Sequence, residues 1–576
     1  MRSSSSCNFS LNGAARLALF LHCCSCFLCL CFAAPTQQQD PIVNLGYARY
    51  KGKSDPATGY DTFFGMRYAA PPVGDLRFSA PQPPPPLLSG PGGPTTLIDA
   101  SNNSYPGTVC PQGLTPGLLF SNITAQAAIP ISEDCLTLTV YTPSPRSRPT
   151  QDYGGDSDQG LPVVVYFHSG AYVIGDHSTS HPQRWLDLAD HNVVAVVPNY
   201  RLGLFGFLGG EEVYKHGSLN AGLLDQQFAL QWVQTHIAKF GGDRSRVTIW
   251  GHSAGGGSVI QHLVSNPAYP GNSDNKDLFI RAVVSSPFVP SQYPYNHEVP
   301  TGYYETLLNA TGCDGQGLAC LRKVPTEILA RVNMEICATG FIGTTTWAPV
   351  IEPIGGYIET RPSVGLLGST RKLNANRVLT THVSRDGYNL VDPSVTGGNV
   401  TEYVHQLLPS LSQTQVADLI SRYPLSEYSN EHERTASIYQ DTIFVCPSYW
   451  VATAFSGAAY KGIWTVPPAT HGQDAGYWLY SGSDYHTLPS PETFENYIGD
   501  IVSFIRSGDA NLFRLNKKPG QSNRLEWPLF EQRRAMGLVF GLAGDGVGSM
   551  VEARSMDRAL KARCDWWLTV ADVVSQ

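Results

Sequence analysis

Short runs of apolar, β-branched residues recur along this chain, and the stretches between them carry helical spacing. Residues 163–167, 193–197, 247–250, 282–284, 378–381 and 463–466 are such runs, punctuated by Gly, Pro or Asn. Runs that stay apolar without alternating belong to strands buried on both faces, which is what a parallel sheet requires. Between two of them, residues 225–240 place Phe228, Trp232, Val233, Ile237 and Phe240 near helical spacing, and Gly241-Gly242 stops the pattern. Strands alternating with helices predict an α/β sheet. From Asp40 to Gln576 no linker, repeat or charge block divides the chain, and residues 81–86 and 151–160 read as surface loops. Although 576 residues would allow several domains, residues 34–576 read as one.

Hydrophobic residues make up 42% of the chain and charged ones 15%, a balance that favours a large packed core over disorder. The 39 Lys and Arg against 47 Asp and Glu leave a net charge of −8, which argues against a nucleic-acid partner. Residues 1–33 read as a secretory signal peptide. Arg2 and Arg16 precede the apolar runs 17–21 and 27–32, and cleavage after Ala33 puts the small Cys31 at the −3 place. His22 and Ser25 interrupt the run, which is short for a bilayer. Six of the 13 cysteines lie in this segment and seven remain, an odd number that outside the cell allows up to three bridges and one leftover thiol. Glycosylation acceptors follow at Asn102, Asn122, Asn309 and Asn399. No later apolar stretch reaches membrane length and no hydrophobic tail suggests a lipid anchor, so the expectation is a secreted, extracellular protein without an integral membrane span.

Gly251-His252-Ser253-Ala254-Gly255 directly follows the run 247–250 and opens a helical pattern through Val259, Ile260, Leu263 and Val264. In a strand–turn–helix setting the flanking glycines permit a sharp turn that lifts a serine above the sheet edge, and the helix N-terminus favours negative charge there. An ordinary Gly-rich turn has the same letters. A second run, Phe167-His168-Ser169-Gly170-Ala171-Tyr172, ends an earlier strand. The backbone N–H groups of Gly170 and Ala171, with that of Ala254, are candidates for stabilising an oxyanion, though a Gly turn after a strand is often only a turn.

The stretch from Phe240 to Gly255, containing Gly251-His-Ser-Ala-Gly255, resembles the active-serine signature of the type-B carboxylesterase/lipase family, which includes the cholinesterases. Ser132-Glu-Asp-Cys-Leu-Thr-Leu-Thr-Val140 resembles its second signature. Blocks beginning at Phe64, Asn199 and Asn220 also resemble family blocks, so five fall in order across most of the chain after residue 40. The resemblance implies an α/β-hydrolase fold, with a mostly parallel central sheet flanked by helices and irregular insertions over the site. It also implies a triad of Ser253, Asp386 in Ser384-Arg-Asp-Gly-Tyr388 and His471 in Ala469-Thr-His-Gly-Gln-Asp474, in the chain order this fold uses. In that reading Ser253 is the nucleophile, His471 the base and Asp386 its orienting acid. Two departures stand out: Ser169 replaces a usual glycine, so that its loop is stiffer or its hydroxyl faces the substrate, and His252 stands where cholinesterases place a glutamate. His252 is read as a packing or supporting residue rather than a second base, and Asp474 as structural.

The family further implies disulfides Cys110–Cys135, Cys313–Cys320 and Cys446–Cys564, with Cys337 left as a buried thiol, and ion pairs Arg77–Glu133 and Arg201–Asp441 as scaffold. The loop between Cys110 and Cys135 holds Leu114, Leu118, Leu119 and Phe120, where lipase relatives carry a flap; it is equally readable as a loop packed on its own body. It contains no Trp, so the cation–π site that holds choline in cholinesterases is missing and choline esters are not expected substrates. The expected function is a secreted serine carboxylic ester hydrolase acting on neutral or apolar esters, small-molecule or lipid, with no metal or organic cofactor. Two alternatives keep the fold: acyl transfer, transesterification or lactone formation by the same triad, and a non-catalytic binding or adhesion protein. Neither oligomeric state nor acyl and alcohol specificity is legible.

Overall fold

The computed structural model describes residues 40–86, 89–90, 93–94, 96–102, 109–115, 131–145, 160–178, 180–269, 277–340, 343–368, 372–394, 399–479, 487–512 and 525–576. The signal-peptide reading, Asn122 and the apolar centre of the Cys110–Cys135 loop lie outside them.

The apolar runs form the middle of an eleven-stranded sheet. Its strands are β1 (Lys53–Asp55), β2 (Tyr60–Arg67), β3 (Thr137–Pro143), β4 (Leu161–Phe167), β5 (Val194–Pro198), β6 (Gly242–His252), β7 (Arg281–Ser285), β8 (Arg377–Val383), β9 (Ala459–Trp464), β10 (Met536–Leu542) and β11 (Ser549–Ser555). In space they run β11-β10-β9-β8-β7-β6-β4-β5-β3-β2-β1. Neighbours from β5 through β10 are parallel, and both margins are antiparallel. This is the mostly parallel α/β sheet expected. After β4 the chain adds β5 on one side and β6 on the other, so the ends of β4 and β6 border a switch point, where open α/β sheets place their sites.

Period-two alternation explains why the central strands read as unbroken apolar runs. Val163, Val165 and Phe167 of β4 join one buried cluster, while Val164 and Tyr166 join the other on the opposite face. The helix expected over 225–240 starts earlier, at Ala221, and runs to His236 before a tighter turn, Ile237–Phe240. Its first two turns are buried on all sides, including Asp225 and Gln226, so no polar face marks them in the sequence. β9 likewise begins four residues before the expected run, because Lys461 interrupts the apolar letters yet is fully buried and paired with Thr380 of β8.

Three disulfides join the expected partners, Cys110–Cys135, Cys313–Cys320 and Cys446–Cys564, and Cys337 is a buried free thiol. Arg77 pairs with Glu133 as expected, its Nε donating at 2.8 Å. The Arg201–Asp441 pair is not formed. Arg201 instead grips Asp225, one turn into the helix beside it, with Nε and Nη2 both at 2.7 Å. Asp441 opens the wide helical turn Asp441–Val445 and accepts from Arg563 of the C-terminal helix at 2.7 Å. Asn309 and Asn399 are exposed, as is Asn102.

Candidate active site

The ends of β4, β6, β7, β8 and β9 lie side by side, since Gly251 is in register with both Phe167 and Val284, Thr380 with Val284, and Thr381 with Gly462. Every residue singled out for chemistry follows one of these ends. Ser253 closes β6 and immediately precedes the helix Ala254–Val264. Its backbone stands at φ 57° and ψ −124°, a conformation that a non-glycine residue adopts only when its surroundings force it. The force comes from close packing of the turn: a Cβ on Gly255 would sit 2.1 Å from the carbonyl oxygen of Phe167, so only glycine lets the helix start against β4. Ser253 N–H donates to Ser285 O at 3.1 Å, and its carbonyl accepts from Phe288 and Gly257.

The three expected triad members meet. His471 Nε2 lies 2.9 Å from Ser253 Oγ, and His471 Nδ1 lies 2.8 Å from Asp386 Oδ1. Asp386 is fully buried, and its second oxygen accepts from Ser286 Oγ and the Val383 N–H, each at 3.0 Å. The loops after β8 and β9 are tied together: Arg385 N–H donates to Ala469 O at 2.9 Å, while Asn389 both receives the His471 N–H and donates to its carbonyl at 3.2 Å. Ser286 and Asn389 therefore hold Asp386 and His471 in place, and neither was singled out in the sequence. Ser286 directly follows β7 and Asn389 lies three residues past Asp386; proximity to those landmarks was the only available signal.

Gly170, Ala171 and Tyr172 follow β4 in a loop with positive φ throughout, 120°, 52° and 64°. Gly170 has no room for a side chain, because a Cβ there would meet Ile174 O at 1.9 Å. The N–H groups of Gly170 and Ala171 make no hydrogen bond among the described residues. Thr345 fixes the loop from outside by donating to Ala171 O at 3.0 Å. Ser169 presents its hydroxyl 3.4 Å from His252 Nδ1.

The His471 ring is flanked by two others. Phe444 lies 4.4 Å away, centre to centre, inclined at 37°, and His252 lies 4.9 Å away at 29°. Phe444 comes from a helical turn far along the chain and had no sequence signal. Burial, reinforced by His471, holds His252 well below the ordinary histidine range, so it is neutral. Behind it stands Asp474, pushed up to about 6 by burial and then by the negative charge of Asp386. Beside the site opens a cavity of about 280 Å³, lined by Phe207, Tyr303, Trp347, Leu407 and Ile443 among others, with no charged residue in its wall among the described residues. Thr345 and Ile443 connect it to the loop of Gly170 and Ala171 and to Phe444. The arrangement can activate a hydroxyl and hold a negative oxygen. No cluster able to hold a metal ion occurs among the described residues.

The model of the carboxylesterase family matches residues 39–541. Carboxylesterase patB of Penicillium expansum is 31% identical over 520 residues, covering 82% of this chain and 88% of that protein. A secreted lipase of Arthroderma benhamiae is 29% identical over 444 residues, covering 76% of this chain and 82% of that protein. The crystal structure of Aspergillus niger EstA superimposes with a TM-score of 0.75 at 26% identity, covering 93% of this chain and 99% of that one.

Proposed function

The chain belongs to the carboxylesterase family and is a carboxylic ester hydrolase of the α/β-hydrolase fold, and from that premise we propose that it works through Ser253, His471 and Asp386 on neutral or apolar esters outside the cell. The observation that carries the proposal is the continuous contact from Ser253 Oγ through the His471 imidazole to Asp386, at 2.9 and 2.8 Å. Asp386 accepts a hydrogen bond from the Nδ1–H of His471, which holds the tautomer whose Nε2 is free to take the proton of Ser253 as Oγ attacks the ester carbonyl. The new oxyanion is received by the N–H groups of Gly170, Ala171 and Ala254. His471, now an imidazolium, returns its proton to the departing alcohol. Water then attacks the acyl-enzyme with His471 again as base, releasing the acid and restoring Ser253.

The uncharged wall of the neighbouring cavity supports a neutral substrate, because a charge carried into it would lose its hydration without a partner. Three disulfides and the kinship to secreted lipases support an extracellular site of action, as does the signal-peptide pattern of residues 1–33. Among the described residues no helix is long and apolar enough to cross a membrane. The exposed Asn102, Asn309 and Asn399 are open to glycosylation.

The test is hydrolysis of a p-nitrophenyl ester series from acetate to palmitate by the wild type and Ser253→Ala. Turnover by the wild type with only background in the variant is expected. A folded wild type inert on every chain length, or a variant as active as the wild type, overturns the proposal.

A further inference from the structure

Behind the base lies a second histidine and a second carboxylate that the proposed reaction leaves unused. His252 and Asp474 are 2% and 1% exposed. His252 Nε2 stands 4.0 Å from Asp474 Oδ1, and neither atom has a hydrogen-bond partner among the described residues. A buried polar atom without a partner costs free energy, so a pair of them facing each other beside a reaction centre calls for an explanation. Asp474 Oδ2 accepts from Tyr497 Oη at 3.0 Å, and Tyr497 lies 3.1 Å from Thr381 Oγ1 of β8. Trp478, four residues after Asp474, packs edge-on to His252 and stacks at 4.3 Å on Trp250 of β6.

We infer that His252 and Asp474 form a second histidine–carboxylate pair behind His471, which fixes the ring of the base by stacking and places a second negative charge where the imidazolium forms. Both act as positioning residues, through His471. The inference rests on the triad reading given above. Through Nδ1 the same His252 reaches Ser169, so one side chain links the base to the loop proposed to receive the oxyanion.

The titratable groups facing Asp474 are His252 from the nucleophile turn, Asp386 from the loop after β8, His471 from the loop after β9 and Tyr497 from the helix Pro491–Ser507. Asp386 opposes ionisation of Asp474, whereas His471 favours it. An ionised Asp474 in turn favours the protonated base. Removing its charge therefore makes the base easier to deprotonate in the resting enzyme and weakens support for the imidazolium in the transition state.

The experiment is steady-state hydrolysis of p-nitrophenyl butyrate as a function of pH by the wild type, Asp474→Asn, Asp474→Glu, His252→Gln and the double variant H252Q/D474N. Asp474→Asn is expected to lower kcat about tenfold with KM little changed, and to move the acid limb of kcat/KM to lower pH. Asp474→Glu restores the limb toward that of the wild type. The double variant loses no more than the worse single variant, because the two residues act as one unit. Unchanged kcat and limb in Asp474→Asn overturn the inference, and so do losses that simply multiply in the double variant. A fall in kcat that tracks a fall in melting temperature with the limb unmoved assigns a merely structural role and overturns it too. Should Asp474→Asn not fold, His252→Gln decides: its kcat falls in a protein with wild-type melting temperature, or the inference is wrong. Failure of the triad reading is seen separately, as residual turnover in Ser253→Ala.

Discussion

Asp225 and Asp386 are two carboxylates equally hidden from water, both fully buried, and they are balanced in opposite ways. Asp225 meets a permanent cation. The guanidinium of Arg201 reaches both of its oxygens at 2.7 Å, and the Arg201 backbone N–H adds a third bond at 3.0 Å. Asp386 meets instead a hydroxyl, a backbone N–H and the imidazole of His471, a group that becomes a cation only when it takes a proton. A permanently paired carboxylate has nothing left to give to a reaction; it locks a helix to a loop. In the proposed reaction a carboxylate that faces an imidazole keeps its charge for the transition state. The same burial thus serves the scaffold in one place and the proposed chemistry in the other.

That contrast can be broken by removing each charge in turn. Asp386→Asn is expected to lower kcat by about 10⁴-fold, because the amide presents a donor to Nδ1 and favours the wrong tautomer of His471. The melting temperature should change little, and kinetics with thermal unfolding on one preparation checks both. Asp225→Asn is expected to do the reverse. It strands the charge of Arg201, which is 2% exposed, and costs about 3–5 kcal/mol in urea unfolding. The kcat per folded molecule stays near that of the wild type. Equal loss of kcat in both variants would erase the distinction between scaffold and site.

A smaller effect sharpens the comparison for a third buried carboxylate. Asp474 is pushed up to about 6, above the value near 4 that it has in the unfolded chain. Between those values the folded protein holds a proton that the unfolded chain has released, so stability falls as pH rises through that window. The fall amounts to about 2–3 kcal/mol and is complete above pH ~6. Asp474→Asn carries no such charge. Its melting temperature should therefore gain on that of the wild type as pH is raised from 4 to 7, and a constant difference across that range would contradict the assignment.

Much of this was legible in the sequence because local chemistry and global position coincide there. The strands buried on both faces announce themselves as unbroken apolar runs, and Gly251-His-Ser-Ala-Gly255 needs no distant partner to mark a sharp turn. Asp386 and His471 are less marked: an Asp-Gly and a His-Gly occur in many turns, and only resemblance to a family singled them out. What stayed hidden depends on contacts across the fold. Phe444 against His471 joins chain segments that no spacing relates. Arg201 pairs with Asp225 of the neighbouring helix turn, and Arg563 of the C-terminal helix holds Asp441. Lys461 lies outside the expected run 463–466 yet inside the strand, where its side chain turns to His382 within the core. His252 and Asp474 read as packing, since the sequence cannot tell that their unpaired atoms face each other.

In the proposed reaction Ser253 is the nucleophile, made reactive by His471 and Asp386. The most direct measurement is labelling of the folded protein with an organophosphonate ester probe, followed by peptide mass spectrometry of the adduct. The account predicts one modified residue, Ser253, labelled rapidly in the wild type, slowly in Asp386→Asn and not at all in Ser253→Ala. An adduct on another residue, or labelling of Ser253 at the same rate with Asp386 replaced, would contradict it.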